Sequence, residues 1–180
     1  MNTIDLRALV QRAKERDPDA WEAIYRHVHP GLYAYARRRL ATQEQTEDAV
    51  SETMTRAIDA ADRFEWSGGG LSAWLFGILR NVVLETYRAS GRTTGPDPAV
   101  EAAVGDDPLD AVLLSEEAAY VRRAFDSLAA DDREVLELRV VAGLDANEVG
   151  AVLRKRPGAV RMAQSRALTR LRSLMDGATP

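Results

Sequence analysis

The stretch GLDANEVGAVLRKRPGAVRMAQSRALTRLR, from Gly143 to Arg172, leaves the fewest structural options of any part of the sequence. Apolar residues recur at helical spacing in two runs: Val149, Val152 and Leu153 in the first, then Val160, Ala163, Ala167, Leu171 and Leu174 in the second. The runs are separated at Arg154 to Pro157. Proline suits the first turn of a helix because the N–H it lacks would go unpaired there. The outer side carries Arg161, Arg166, Arg170 and Arg172, preceded by Arg154, Lys155 and Arg156, and no acid interrupts the run from Arg154 to Arg172. A solvated face on an ordinary amphipathic helix is the plain alternative for any arginine-rich segment. Here a short helix, a tight break and a second helix with a basic outer side match a helix-turn-helix, whose second helix enters the DNA major groove.

The rest of the chain must fold around that unit. Strand-type alternation is scarce, and Ala, Leu, Arg and Glu abound in the 180 residues, which predicts an all-α protein of two small helical domains. The sequence has no cysteine, which excludes thiolate metal sites, disulfides and cysteine nucleophiles. A formal net charge of -4 does not fit a free-standing DNA binder, whose affinity comes mostly from neutralising phosphates. The segregated charge instead predicts a chain held on DNA by a larger partner. The start lacks an apolar signal core, and no run reaches about 18 apolar residues, so a soluble, intracellular protein without membrane insertion is expected.

Taken in order, residues 4 to 16 predict a short helix ending before Asp17-Pro18-Asp19. Ala20 to Leu40 continues at helical spacing, with Pro30-Gly31 expected to bend or divide it. His27 and His29, two apart, point away from each other on a helix and cannot readily share a metal; Arg37, Arg38 and Arg39 are expected to be solvated. Gln45 to Phe64 predicts a helix burying Ala49, Val50, Thr53, Met54, Ala57, Ile58 and Ala61, with Asp48, Glu52, Arg56, Asp59 and Asp62 opposite. Glu65 to Gly70 ends in three glycines and predicts a flexible loop. Leu71 to Ala89 resumes as an apolar helix whose Arg80 and Asn81, beside aromatic rings, suit single-stranded bases.

Residues 91–114 are rich in Pro, Gly and Asp and read as a linker, spanning on the order of 27 Å relaxed and roughly 80 Å pulled straight. Two DNA patches about two helical turns apart, roughly 70 Å, lie within that reach. The second domain is expected to start at Ser115 as an N-cap, with Glu116 and Glu117 in the first turn. Ala130-Asp131-Asp132 opens a further helix that runs to Gly143. The division expected is 1–90, linker 91–114, 115–176 and a tail 177–180.

In this arrangement the sequence resembles the extracytoplasmic-function (ECF) sigma factors of the bacterial sigma-70 family. TEDAVSETMTRAIDAADRF followed by LSAWLFGILRNVVLETYR is similar to region 2, and LAADDREVLELRVVAGLDANEVGAVL with PGAVRMAQSRALTRLR is similar to region 4. The resemblance implies that Asp48, Glu52, Thr53 and Arg56 dock on core RNA polymerase. It implies that Asp62, Arg63, Trp66 and Ser72, with Arg80, Asn81 and Arg88, melt the minus-10 DNA and capture a flipped base. It also implies that Arg154, Lys155, Arg161, Met162, Ser165 and Arg166 read the minus-35 element, Arg166 on phosphate and Arg161 on either a base or a phosphate. The linker would occupy the channel toward the polymerase active site. An anti-sigma factor is an expected second partner.

Departures from the family pattern are Gly77 where many relatives have arginine, Arg154 in place of a turn glycine, Gln164 for leucine and Ala163 for arginine. These bear on promoter sequence rather than class. The competing reading is a one-component regulator whose helix-turn-helix binds an operator without polymerase. An enzyme is disfavoured, because the sequence has no Gly-rich phosphate loop after a strand, no histidine-carboxylate ligand set and no nucleophile-base constellation. No cofactor, metal or small-molecule substrate is expected, and the expected location is the cytoplasm.

Overall fold

A computed structural model of the chain describes residues 5–89 and 116–177; the expected linker and the Ser115 cap lie outside the described residues. The regular structure among the described residues is all helical, with no strand. In the first half these are α1 (Leu6–Lys14), α2 (Pro18–Arg37), α3 (Gln43–Ala60) with a 3-10 turn at Ala61–Arg63, and α4 (Gly70–Ala89). The second half has α5 (Glu116–Asp126), α6 (Ala130–Leu136) continued by a π-helical segment at Glu137–Val141, α7 (Ala146–Leu153) and α8 (Pro157–Asp176).

Local chemistry fixes the starts. The Asp5 side chain caps α1 by accepting from the Arg7 and Ala8 N–H groups, and Asp17 caps α2 through Asp19 and Ala20, with Pro18 in the first turn. Pro30 does not divide α2, which runs unbroken through it. Ile24 and Val28 before the proline and Leu32, Tyr35 and Ala36 after it are all buried, so packing on both sides holds the helix together despite the lost hydrogen bond. The first half closes around these residues with Ala49, Val50, Met54 and Ala57 of α3 and Leu75, Phe76, Leu79, Val82 and Val83 of α4. Truncating a fully buried leucine here, Leu32 or Leu79, costs about 2–5 kcal/mol. Ile58, expected in the α3 stripe, is 48% exposed, and Leu174 of α8, expected on its apolar side, is 39% exposed.

The halves pack on each other. α4 lies against α7, α2 lies against the π segment, and Leu138, Leu144, Val149 and Val160 share one buried cluster with the first half. Gly31 marks the closeness: a Cβ there would sit 3.0 Å from the Ala142 carbonyl oxygen. The glycine loop is correspondingly not open. A Cβ on buried Gly69 would lie 2.5 Å from that of Ala151 and 2.3 Å from that of Ala73, so the absence of a side chain lets α7 approach the start of α4. The predicted helix from Asp131 to Gly143 is also interrupted, with the Ala142 N–H donating to the Glu137 carbonyl in an i→i+5 turn.

Arg38 and Arg39 are not solvated as expected. Arg38 donates to Glu137 and to Asp126, each at 2.9 Å, with its guanidinium 4.6 Å over the Phe125 ring. Arg39 pairs with the same Glu137 and stacks 3.6 Å over Tyr35. Solvation is what an arginine on one isolated helix would have; here the acids of the second half replace the water.

Burial at this junction pushes the Tyr35 phenol from 10.0 up to about 12, against the pull of Arg39 and with a further push from Glu134. Because the folded value is the higher one, the stability held by the neutral phenol is complete below pH 10.0 and is lost as pH rises through about 12. In a phenolate-absorbance titration the wild-type chain should therefore retain a tyrosine that ionises near 12, and separation of the halves should return it toward 10.0.

Candidate nucleic-acid interface

The helix-turn-helix is built from α7 and α8. Asp145 caps α7 in a capping box: it accepts from the Asn147 and Glu148 N–H groups, and the Glu148 carboxylate accepts from the Asp145 N–H at 2.7 Å. Arg154 ends the helix in the left-handed region, φ 54° and ψ 41°, a conformation that costs any residue with a Cβ about 1–2 kcal/mol. Gly150 lets the turn close, since a Cβ there would be 2.6 Å from the Lys155 carbonyl oxygen. α8 buries Val160 and Ala167 and leaves Arg161, Ser165 and Arg166 exposed, with Met162 62% exposed. Lys155 and Arg156 are exposed beside them. Gln164 accepts from Arg139 Nε at 2.9 Å, which ties α8 to the π segment.

The proposed melting residues divide. Asn81 and Arg88 are exposed on α4, and Asp62 and Arg63 are exposed on the 3-10 turn. Trp66 is partly exposed, with Arg7 4.7 Å over its ring and Phe64 edge-on at 5.4 Å. Phe64 also meets Trp74 at 4.8 Å, and its carbonyl accepts from Lys14 Nζ at 2.7 Å, so α1 fastens the loop. Arg80 is already engaged: its Nε donates to Glu134 at 3.1 Å, and the Tyr35 hydroxyl faces the same carboxylate oxygen at 3.4 Å. Ser72 lines a cleft with Leu144 and Glu148 of the second half, and Gly68 lines another with Arg154, Lys155 and Arg156. The loop and the helix-turn-helix thus confront each other.

On α3, Asp48 and Glu52 are exposed, but Thr53 is a correction. It is fully buried, and its hydroxyl donates to the Ala49 carbonyl at 2.7 Å, so it offers nothing to a docking partner. Arg56 makes paired hydrogen bonds to Glu85 at 3.0 and 2.7 Å and one to Glu52 at 2.7 Å. The bond from Arg56 holds the Glu85 carboxyl below its ordinary range, and those from Glu85 and Glu52 raise Arg56. Sequence reasoning missed Glu134 and Glu137 altogether. The signal was an acid inside an apolar run, VLELRVV, at a position that an uninterrupted helix would bury.

These features define a two-part, all-helical DNA-binding protein with a helix-turn-helix at its C-terminal end and an aromatic, amide-bearing surface on the other half. The family models named Sigma-70 region 2 and Sigma-70, region 4 match residues 24–93 and 124–173. Among curated relatives, the ECF RNA polymerase sigma factor ShbA of Streptomyces griseus is 36% identical, covering 94% of this chain and 94% of its own. SigD of Mycobacterium tuberculosis is 32% identical, covering 93% of this chain and 82% of its own. Two solved structures are similar at 26% identity. CnrH in complex with the cytosolic domain of CnrY has a TM-score of 0.71 and covers 96% of this chain and 98% of its own. The sigma factor RpoE in complex with the anti-sigma factor NepR from Bartonella quintana has a TM-score of 0.61 and covers 88% and 98%. The chain belongs to the ECF RNA polymerase sigma factors.

Proposed function

We propose that this chain is a promoter-specificity subunit: bound to core RNA polymerase it selects promoters, opens the minus-10 region and starts transcription of a defined set of genes, without enzymatic activity of its own. Supporting this is the presence in one acidic chain of a basic helix-turn-helix and, before it, an exposed amide and aromatic surface on α4 and its loop. Residues 1–90 act as the polymerase and minus-10 unit and 115–176 as the minus-35 unit. Asp48 and Glu52 dock on the polymerase, and Arg56, clamped by Glu52 and Glu85, shapes that surface. Asn81 pairs with a flipped base, Trp66 supplies a stacking ring, and Arg63, Arg80 and Arg88 hold phosphate, with Asp62 and Ser72 at the loop edges. Met162 and Ser165 face base edges, Arg161 takes either a base or a phosphate, and Arg154, Lys155 and Arg166 hold the backbone. The relative RpoE is solved with an anti-sigma factor, and we infer one as a partner of this chain too. Among the described residues no helix is long and apolar enough to cross a membrane; the cytoplasm is the inferred site of action.

Run-off transcription with core polymerase across a promoter library tests the reading: defined transcripts that depend on the chain are expected. Tight, sequence-specific mobility shifts by the purified chain alone, with no transcripts, would instead establish the one-component regulator.

Arg154→Asn offers a narrower check, because asparagine tolerates the left-handed backbone of that position. The second half should gain about 1 kcal/mol in thermal unfolding. If Arg154 holds a phosphate, the slope of log affinity against log salt for the minus-35 duplex should fall by about 1.

A further inference from the structure

We infer that α1 belongs to the strand-opening surface: Arg7 is a positioning residue that holds the Trp66 indole still, so that the ring meets an unstacked DNA base as a fixed platform. This deepens the promoter-factor reading above and rests on it.

Arg7 and Lys14 lie seven positions apart, about two turns of helix, so they share one side of α1. That side faces the loop that runs from Phe64 into α4. Arg7 sets its guanidinium carbon 4.7 Å from the centroid of the Trp66 ring, and Lys14 Nζ donates to the Phe64 carbonyl at 2.7 Å. α1 can serve as a support because it is itself anchored: Val10 and Ala13 are buried, and Trp21 Nε1 donates to the Ala13 carbonyl at 3.1 Å. The loop is packed from its other side as well. Buried Phe64 meets Trp74 at 4.8 Å and crosses the Trp66 ring at 74°. Gly70, with φ 58°, closes on the six-membered ring of the indole, where an added Cβ would stand 3.3 Å from Cζ3. Arg7, Phe64 and Gly70 thus hold Trp66 between them, and 38% of the residue is still open to solvent.

An indole on a glycine-rich loop would otherwise be free to turn, and a ring that must be ordered when the base arrives returns less of its stacking as affinity. A guanidinium over the ring removes that freedom in advance. Arginine suits the post because its planar cation is attracted to an aromatic face even at an exposed site, where an apolar side chain would gain little.

Two measurements separate this role from an ordinary surface contact. In the free full-length chain, the Trp66 indole N–H signal, assigned by its loss in Trp66→Ala, should show a heteronuclear NOE as high as those of Trp21 and Trp74. Arg7→Ala should lower it for Trp66 alone, with helical content unchanged. The second measurement uses holoenzyme reconstituted with core polymerase and a fork DNA whose minus-10 non-template strand is unpaired, built on a promoter from the run-off library. Arg7→Ala should weaken binding to the fork about two- to fivefold and leave binding to the fully paired duplex at low temperature unchanged. In a Trp66→Ala background the same change should have no effect, since a residue that works through the ring has nothing left to position. A Trp66 indole already mobile in wild type, a loss that persists without Trp66, an equal loss on the paired duplex, or no loss on the fork overturns the inference. Absence of run-off transcripts with the wild-type chain overturns the promoter-factor reading and the role in strand opening with it, while the indole signal still reports whether Arg7 holds the ring.

Discussion

Asn81→Ala is expected to cut open-complex formation about 10- to 100-fold while leaving closed-complex formation within about twofold, since contacts to a captured base are worth about 1–3 kcal/mol and each 1.4 kcal/mol is a factor of ten. The asymmetry follows from where the residue acts. Extruding a base costs a few kcal/mol, which must be returned by the pocket that receives it, whereas duplex binding before melting draws on phosphate contacts. Asn81 carries both an amide donor and an acceptor, and it is exposed on α4. The substitution removes no buried group, so the fold should lose no more than about 0.5 kcal/mol. Permanganate reactivity of the minus-10 thymines against a mobility shift at low temperature separates the two steps. Equal loss in both would mean that Asn81 serves general DNA affinity, and its assignment to base capture would fall.

How far the sequence could lead differs between the two levels. Helices α1 to α4 and α7 to α8 were legible because each carries its own punctuation: Asp17-Pro18 at the start of α2, the Asp145 to Glu148 capping box, and Pro157 after a break. Those signals act within one turn of the chain, so no partner is needed to read them. Pro30 does not divide α2 although its local cost is real, because burial of Ile24, Val28, Leu32 and Tyr35 outweighs it. Thr53 illustrates the same limit at the site. It falls on the buried stripe by spacing and on the docking surface by resemblance, and the structure sides with spacing. Arg38, Arg39 and Glu137 were not legible at all as a set, since a pair 99 positions apart leaves no periodic trace. Only the oddity of Glu137 between leucines hinted that something cationic must meet it.

Gly150→Val should disable the second half while sparing the first. A Cβ at this position would stand 2.6 Å from the Lys155 carbonyl oxygen and 3.6 Å from the Pro157 nitrogen, and both are backbone atoms with no flexible end to swing aside. The turn must open, and α8 moves with it, because the Lys155 N–H bonds the Gly150 carbonyl at 2.8 Å and Pro157 begins the helix two residues on. Overpacking of this kind costs about 1–3 kcal/mol, and the two branched methyls put valine at the upper end. Since α8 packs on α6 as well as α7, the loss should appear as faster hydrogen exchange through residues 146–176, with α2 to α4 keeping theirs. Transcription from a promoter that depends on its minus-35 element should drop at least about tenfold, the equivalent of 1.4 kcal/mol. Gly158→Ala is the control: nothing lies within 4 Å of its added methyl, and in the first turn of α8 alanine should stabilise by about 0.5–1 kcal/mol. If Gly150→Val melts and transcribes like wild type, the turn is looser than the Gly150–Lys155 contact allows, and α8 is not held in one orientation by it.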